Sequence, residues 1–334
     1  MKKTVTYVVA ALFACLISGG AAAKTLKFAT LAPAGTTWMN EMKAGADKVK
    51  ERTGGRVKLK FYPGGVMGND QSVHRKIKIG QLHGGAFTQG GLASVDSSVV
   101  AIGLPMMFKN LDEVDYVRQR IEPELKASME QGGYVLLGVS EGGFARILSK
   151  QPMIDVKALR DSKVWVPEGD QVSLTAYRAL GVTPISLPIS DVFTGLQTGL
   201  IETVAANPTA AIAFQWHSST EYMTDVPITF LTGLLAVSKK VFDKLSAEDQ
   251  AVLREEMGTV FKRLDALNRS DNEAARAALQ QQGIKFVTPS PEEVARWREI
   301  GSQSVDDMVA NGVISGDVVE RVRTLLQEYR AQQQ

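Results

Sequence analysis

Residues 246–283 read SAEDQAVLREEMGTVFKRLDALNRSDNEAARAALQQQG. Ser246 stands three positions before Asp249, a capping box in which the serine accepts a backbone N–H and the acid can reach back to the cap. No proline follows before Gly283, and helix-forming residues fill the interval. The spacing predicts ~36 helical residues, or ~54 Å at ~1.5 Å per residue. That length exceeds the width of one small domain, so the helix is expected to lie across two. A coiled coil is the competing reading, but Gly258, Asn268 and Asn272 interrupt any sustained heptad. A second capping box, Ser290-Pro291-Glu292-Glu293, opens the C-terminal helices.

Upstream, strands and helices alternate. Thr25–Leu31 reads as a strand, Trp38–Arg52 as an amphipathic helix closed by Gly54-Gly55, and Val57–Tyr62 as a second strand ended by Pro63-Gly64-Gly65. Asp70–Ile79 is a helix closed by Gly80. This order predicts a parallel sheet with helices on its faces. Tyr134–Val139 and Phe144–Leu148 read as two strands separated by Gly142-Gly143, and Lys163–Val166 and Thr183–Ser186 as short strands. Helices are predicted over Asp170–Leu180 and Asp191–Leu200, and acids at 112, 113 and 115 suit the first turn of another after Leu111. The expected fold class is α/β, two lobes joined by several crossings, with the long helix spanning both. Such an arrangement suits hinge closure on a ligand.

The chain begins with Lys2 and Lys3, an apolar run from Val5 to Ile17, and small residues ending Ala21-Ala22-Ala23. A basic start, an apolar stretch too short to span a bilayer and an Ala-x-Ala site form a secretory leader, here residues 1–23 with cleavage after Ala23. The single cysteine, Cys15, would leave with it; lipid attachment at Cys15 is the weaker reading because Phe13 is bulky for that motif. The chain carries 38 Lys and Arg against 36 Asp and Glu. Without the two leader lysines the charges balance, so a nucleic-acid footprint is not expected. Without cysteine there is no disulfide, and the exported chain must rest on its own core.

Motifs of catalysis are sparse. Gly138-Val139-Ser140-Glu141-Gly142 spells a nucleophile elbow, but the elbow must lead into a helix and Phe144–Leu148 reads as strand. His217 is the one histidine that follows Ser140. The three histidines, His74, His83 and His217, lack metal-ligand spacing. No dinucleotide or phosphate-loop glycine pattern occurs, and neither a cofactor nor a metal is expected. Gly84–Gly91, with Thr88 and Gln89, reads either as a loop with backbone N–H groups facing a cleft or as close backbone packing. Trp165, Phe214 and Trp216 read either as core or as pocket lining.

Several segments together resemble the DctP-like solute-binding proteins of TRAP transporters. They are Leu31-Ala32-Pro33-Ala34-Gly35-Thr36-Thr37-Trp38, Arg52-Thr53-Gly54-Gly55-Arg56-Val57, Phe61-Tyr62-Pro63-Gly64-Gly65, Leu104-Pro105-Met106-Met107-Phe108, Lys163-Val164-Trp165-Val166-Pro167, Leu180-Gly181-Val182-Thr183-Pro184 and Leu196-Gln197-Thr198-Gly199-Leu200-Ile201-Glu202. Their shared order carries the resemblance over essentially the whole mature chain. It implies a periplasmic receptor of two α/β lobes around a cleft, an integral-membrane transporter as partner, and a small-molecule ligand. On that pattern residues 24–143 and 234–275 form lobe I, and 144–233 and 276–334 form lobe II. The resemblance places Trp38, Thr88, Gln89, Arg146, Trp165, Asn207, Phe214 and Trp216 around the ligand. Phe214-Gln215-Trp216-His217 and Tyr222-Met223-Thr224-Asp225 look like a branch that works with a periplasmic tetratricopeptide-repeat subunit.

The sequence departs from the family pattern at its polar positions. Trp165 stands where the family has a carboxylate-binding arginine, Arg146 comes one residue late after Gly143-Phe144-Ala145, and Ala206 takes the place of an asparagine that follows as Asn207. On a strand, a one-residue offset turns a side chain to the other face. A less polar pocket and an apolar or neutral ligand are therefore expected, with the Trp165 indole N–H as a donor to it. The alternatives are an organic acid held by Arg146, Lys150 or Lys163, a sensor module of a signalling receptor, or a serine hydrolase at Ser140. The leading expectation is a receptor without catalysis.

Overall fold

The computed structural model describes residues 23–333, so the leader reading, with Lys2, Lys3 and Cys15, lies outside the described residues up to Ala22. The strands are β1 (Lys24–Thr30), β2 (Val57–Tyr62), β3 (Gly84–Thr88), β4 (Tyr134–Ser149), β5 (Trp165–Pro167), β6 (Ile185–Leu187), β7 (Thr203–Ala206), β8 (Tyr222–Ser238) and β9 (Lys285–Val287). The main sheet runs β2-β1-β3-β8-β4-β7, with β9 beside β8; β5 and β6 form a small parallel pair. β1, β2 and β3 are mutually parallel as the alternation predicts. β8 is antiparallel to both β3 and β4, and β7 to β4, so the sheet is mixed rather than parallel.

The reason is the pair β4 and β8. They face each other from Tyr134 opposite Ser238 to Ser149 opposite Tyr222, and so run through both lobes. The end of β8 pairs with β3 and its beginning with β9, which assigns each half of one strand to a different lobe. Gly142-Gly143 does not separate two strands. It forms one of three register shifts along β4, between Glu141 and Gly143, where Gly143 takes φ +90°. Gly84–Thr88 is likewise a strand and not a loop. A Cβ at Gly84 would lie 2.3 Å from the Ala236 carbonyl and 2.4 Å from the Phe28 ring, so the glycine is there for close packing.

The first lobe buries both faces of its sheet, and side chains alternate between two cores. Val135, Leu137, Leu235 and Val237 face the helices Thr37–Arg52 and Ala247–Gln281, whereas Leu136, Leu234 and Ala236 face the opposite layer with Val73 and Leu92. The long helix is 35 residues, capped by Ser246 on the Asp249 N–H as its sequence predicts. The Asp249 carboxylate does not return to the cap; Arg56 takes it at 2.8 Å. Early in the helix Leu253, Met257 and Leu264 enter the first lobe's core, and near its end Leu279 enters the second lobe's core with Val204 and Met223.

Between those ends the helix turns a polar face to β4. Asp265 accepts the Glu141 N–H at 2.9 Å, Asn268 donates to the Glu141 carbonyl at 2.6 Å, and Asn272 donates to the Gly142 carbonyl at 2.9 Å. Arg269 grips the buried Glu141 carboxylate with two nitrogens, at 2.6 and 3.0 Å. These four helix residues follow i, i+3, i+4 and i+7 spacing and therefore share one face.

The helix Pro291–Ala310 packs on Gln171–Ala179. The last helix, Gly316–Gln332, instead packs on Leu111–Gln131. Its Val322, Leu325 and Leu326 join Val114 and Val117 in the first lobe's core, and Arg330 pairs with Glu113 at 2.8 Å. The chain thus returns to the lobe in which it began.

A Cβ at Gly138 would lie 2.2 Å from the Phe261 ring, whereas one at Gly258 meets nothing within 4 Å. Gly138→Ala is expected to lower unfolding free energy by about 2–3 kcal/mol in urea titration. Gly258→Ala is expected to be neutral or to stabilise by up to about 1 kcal/mol. Equal effects would contradict the close helix–strand approach.

Candidate functional site

A cavity of about 430 Å³ lies between the lobes, walled by β3 and the turn after it, the register-shifted middle of β4, β5, the helix Pro208–Ala213 and the long helix. Of the residues singled out in the sequence, Trp38, Thr88, Gln89, Trp165, Asn207, Phe214 and Trp216 all line it. Arg146 does not. Its neighbours Ala145 and Ile147 line the cavity, and Arg146 points the other way and pairs with Asp225 at 2.9 Å. Arg276 holds the same Asp225 with two bonds at 2.7 and 2.6 Å, and this pairing, Arg276 first, keeps the Asp225 carboxyl below the usual carboxylate range. Lys150 donates to the Leu196 carbonyl and Lys163 to the Gly199 carbonyl, both outside the cavity wall.

The aromatic side chains form a continuous wall. The Trp165 ring meets Trp216 edge-on at 5.3 Å, and Trp216 stacks on Phe214 at 5.3 Å. Trp165 and Trp216 are also core residues, 3% exposed each, so the two readings of these aromatics are compatible. The Trp165 indole N–H, expected to serve a ligand, is occupied: it donates to the Leu187 carbonyl at 2.9 Å, because β6 runs beside β5. Trp165 therefore offers its ring and not its donor.

The polar residues of the wall are mostly committed to the fold. Asn207 caps the helix Pro208–Ala213 through the Ala210 N–H at 2.7 Å and donates to the Gly142 carbonyl. Thr88 caps the turn Gln89–Leu92 through Gly91 and donates to Asp70 at 2.7 Å. The Gln89 carbonyl accepts from Thr232 at 2.9 Å. Glu141 is neutralised by Arg269 as described; burial nevertheless raises its carboxyl above the ordinary range. Among the described residues that line this cavity, none is lysine, arginine or histidine.

Sequence reading passed over Asp170, Tyr177 and Trp297, which also line the cavity. In the sequence Asp170 reads only as a helix start, and it does cap Gln171–Ala179 through the Ser173 N–H. A second cavity of about 310 Å³ lies behind the 88–91 turn, between Asn69, Asp70 and Gln71 of one lobe and Glu168, Gly169 and Asp170 of the other. Asn69 donates to Glu168 across this seam. Gly90 and Gly91 admit the two carboxyls, since a Cβ at Gly91 would lie 2.0 Å from Asp70 and one at Gly90 3.3 Å from Asp170.

Ser140 lies inside the continuous β4, with its hydroxyl 3.5 Å from the Gly233 carbonyl, not at a strand-to-helix elbow. His217 is turned to the Ala211 carbonyl at 3.0 Å, His83 accepts from the Lys27 N–H, and His74 bonds to Tyr134 at 2.7 Å. No helix among the described residues is long and apolar enough to cross a membrane.

Two lobes, a cavity on the strands that cross between them and a helix bridging both define the class of solute-binding receptors. Residues 28–311 match the family model of the bacterial extracellular solute-binding proteins, family 7, DctP, and the chain belongs to that family. It is 24% identical over 210 residues to the uncharacterized protein YiiZ of Salmonella typhimurium, covering 62% of this chain and 64% of that one. It is 22% identical over 247 residues to the 2,3-diketo-L-gulonate-binding periplasmic protein YiaO of Escherichia coli, covering 72% and 74%. The sugar-acid-binding protein DctPAm of Advenella mimigardefordensis, solved with galactonate, superposes with a TM-score of 0.85 at 21% identity, covering 92% of this chain and 99% of that one. The family consists of solute-binding receptors that deliver small molecules to membrane transporter subunits.

Burial pushes the Asp70 carboxyl from 3.8 up to about 6, against two bonds from Thr88 that lower it. A folded-state value above the unfolded one means that stability falls as pH rises from about 4 to about 6. Asp70→Asn keeps an acceptor for Thr88 and removes that dependence. The variant is expected to gain about 1–3 kcal/mol on the parent between pH 4 and pH 7 in urea unfolding. A difference independent of pH would contradict the burial of this carboxyl.

Proposed function

We propose that the chain is an exported receptor, cleaved after Ala23, whose interlobe cavity closes on a small organic ligand without a negative charge and delivers it to TRAP-type membrane subunits. The observation that carries this reading is a cavity wall without lysine, arginine or histidine among the described residues. A carboxylate closed into it would lose its water without gaining a partner, a cost of several kcal/mol. Trp165 occupies the position where the family resemblance expects an arginine, and Asp225 holds Arg146 outside the wall. The ligand instead meets Trp165, Trp216, Phe214, Trp38 and Trp297, which favour a large apolar surface. In this respect the proposed ligand differs from the sugar acids that name YiaO and DctPAm.

The same reading makes the protein non-catalytic, since Ser140 has neither an elbow nor a base beside it. It divides the chain into lobe I (24–143 and 234–275, joined by 316–332) and lobe II (144–233 and 276–315), with β4, β8 and the long helix as the crossings. The segments 214–217 and 222–225 support a periplasmic tetratricopeptide-repeat subunit as an additional partner.

Calorimetry with succinate and with uncharged aromatic compounds tests the ligand class. Succinate is expected not to bind, and Arg146→Ala is expected to change no affinity by more than about twofold. Tight, salt-sensitive succinate binding that survives in Trp165→Ala would overturn the reading. Closure is tested separately by small-angle scattering: a bound ligand is expected to reduce the radius of gyration, and an unchanged radius at saturation would count against a hinge.

A further inference from the structure

The cavity wall is not electrically empty. It contains two carboxyls, Glu141 and Asp170. Glu141 is matched by the two-nitrogen grip of Arg269. Asp170 has no such partner: no lysine, arginine or histidine among the described residues lies within ion-pair distance of it. Its oxygens accept from the Ser173 backbone N–H at 3.0 Å, the Ser173 hydroxyl at 2.6 Å and the Val172 N–H, so every donor to it is uncharged and comes from the first turn of its own helix. Gly90 of the opposite lobe packs directly against the Asp170 carboxyl, so the group lies where the two lobes meet. In the same wall the Tyr177 hydroxyl is buried, the residue being 8% exposed, and has no hydrogen-bond partner. Burial raises the Asp170 carboxyl, because its charged form loses water there without gaining a cation. Tyr177 lies close enough to Asp170 for that charge to raise its own hydroxyl further.

An unmatched acid at the lobe boundary, in a cavity otherwise walled by aromatic rings, is the composition that recognises an organic cation. A protonated nitrogen supplies Asp170 with both donors and charge. The faces of the tryptophan rings attract the same positive group. Resting on the anion-excluding reading of this cavity, we infer that the ligand is a hydrophobic amine whose ammonium group is received by Asp170 while its apolar body lies against Trp165, Trp216 and Phe214. Asp170 is then the specificity-determining residue, and the aromatic wall supplies the greater contact area.

Three probes of one shape separate the possibilities: 3-phenylpropylamine, 3-phenylpropan-1-ol and 3-phenylpropionate, titrated by calorimetry into the intact protein and into Asp170→Asn. Asparagine preserves the helix cap, so the variant keeps its fold. The amine is expected to bind at least about tenfold more tightly than the alcohol, a difference of about 1.4 kcal/mol. In Asp170→Asn that preference should vanish. Parity of amine and alcohol, no measurable amine binding at millimolar concentration, or a preference that survives in Asp170→Asn would each overturn the inference. Parity with the alcohol bound leaves the anion-excluding reading intact. Tightest binding of the phenylpropionate would overturn both.

Discussion

The grip of the long helix on Glu141 and Gly142 is the constraint on which the rest of the structure depends. At that point β4 leaves one lobe and enters the other, and its register against β8 shifts. A shifted strand leaves backbone groups without ladder partners in the interior, and an unmet buried group costs about 1–3 kcal/mol. Asp265, Asn268 and Asn272 meet those groups from one face of the helix, and Arg269 balances the buried Glu141 carboxylate. The helix must therefore be long enough to anchor apolar residues in both lobes and polar at the crossing. Asn268 and Asn272, which spoil a coiled-coil seam, are there because the crossing strand needs donors.

The same crossing shapes the cavity. The shifts on either side of Gly143 decide which of residues 145, 146 and 147 face inward, and the result is Ala145 and Ile147 inward with Arg146 outward. Once outside, Arg146 finds Asp225, and Asp225 is shared with Arg276, whose guanidinium lies over the Phe286 ring at 4.4 Å. Positive charge is thus organised behind the cavity and removed from its wall. What remains inside is aromatic surface, amides and hydroxyls mostly bound within the fold, and the two acids. The electrostatics of the site follow from the backbone register at one bulge as much as from the residues chosen.

Local signals were legible where one side chain answers to its own neighbours in sequence. Ser246 and Ser290 cap the helices they precede, Val57–Tyr62 is a strand to the residue, and the long helix lies within two residues of its predicted ends. The glycines misled. Gly142-Gly143 looked like an interruption and is a bulge; Gly84-Gly85 read either as a loop or as close packing, and it is a closely packed strand. A glycine announces that the backbone is unusual or approached closely, without saying which, because the atom that decides it belongs to a distant segment: Ala236 for Gly84, Asn272 for Gly143.

By itself the sequence determined that this is a two-lobed α/β receptor, because caps, alternating apolar residues and the order of short motifs are local and survive translation into one dimension. It also determined that the arginine expected at position 165 is absent. Only the tertiary structure decided that β4 and β8 each run unbroken through both lobes, that the last helix returns to the first lobe, and that the Trp165 N–H belongs to Leu187. The difference in charge between the two acids of the cavity belongs there as well. Whether a carboxyl is matched depends on which guanidinium comes within 3 Å of it, and Glu141 meets Arg269 from 128 residues away while Asp170 meets none among the described residues.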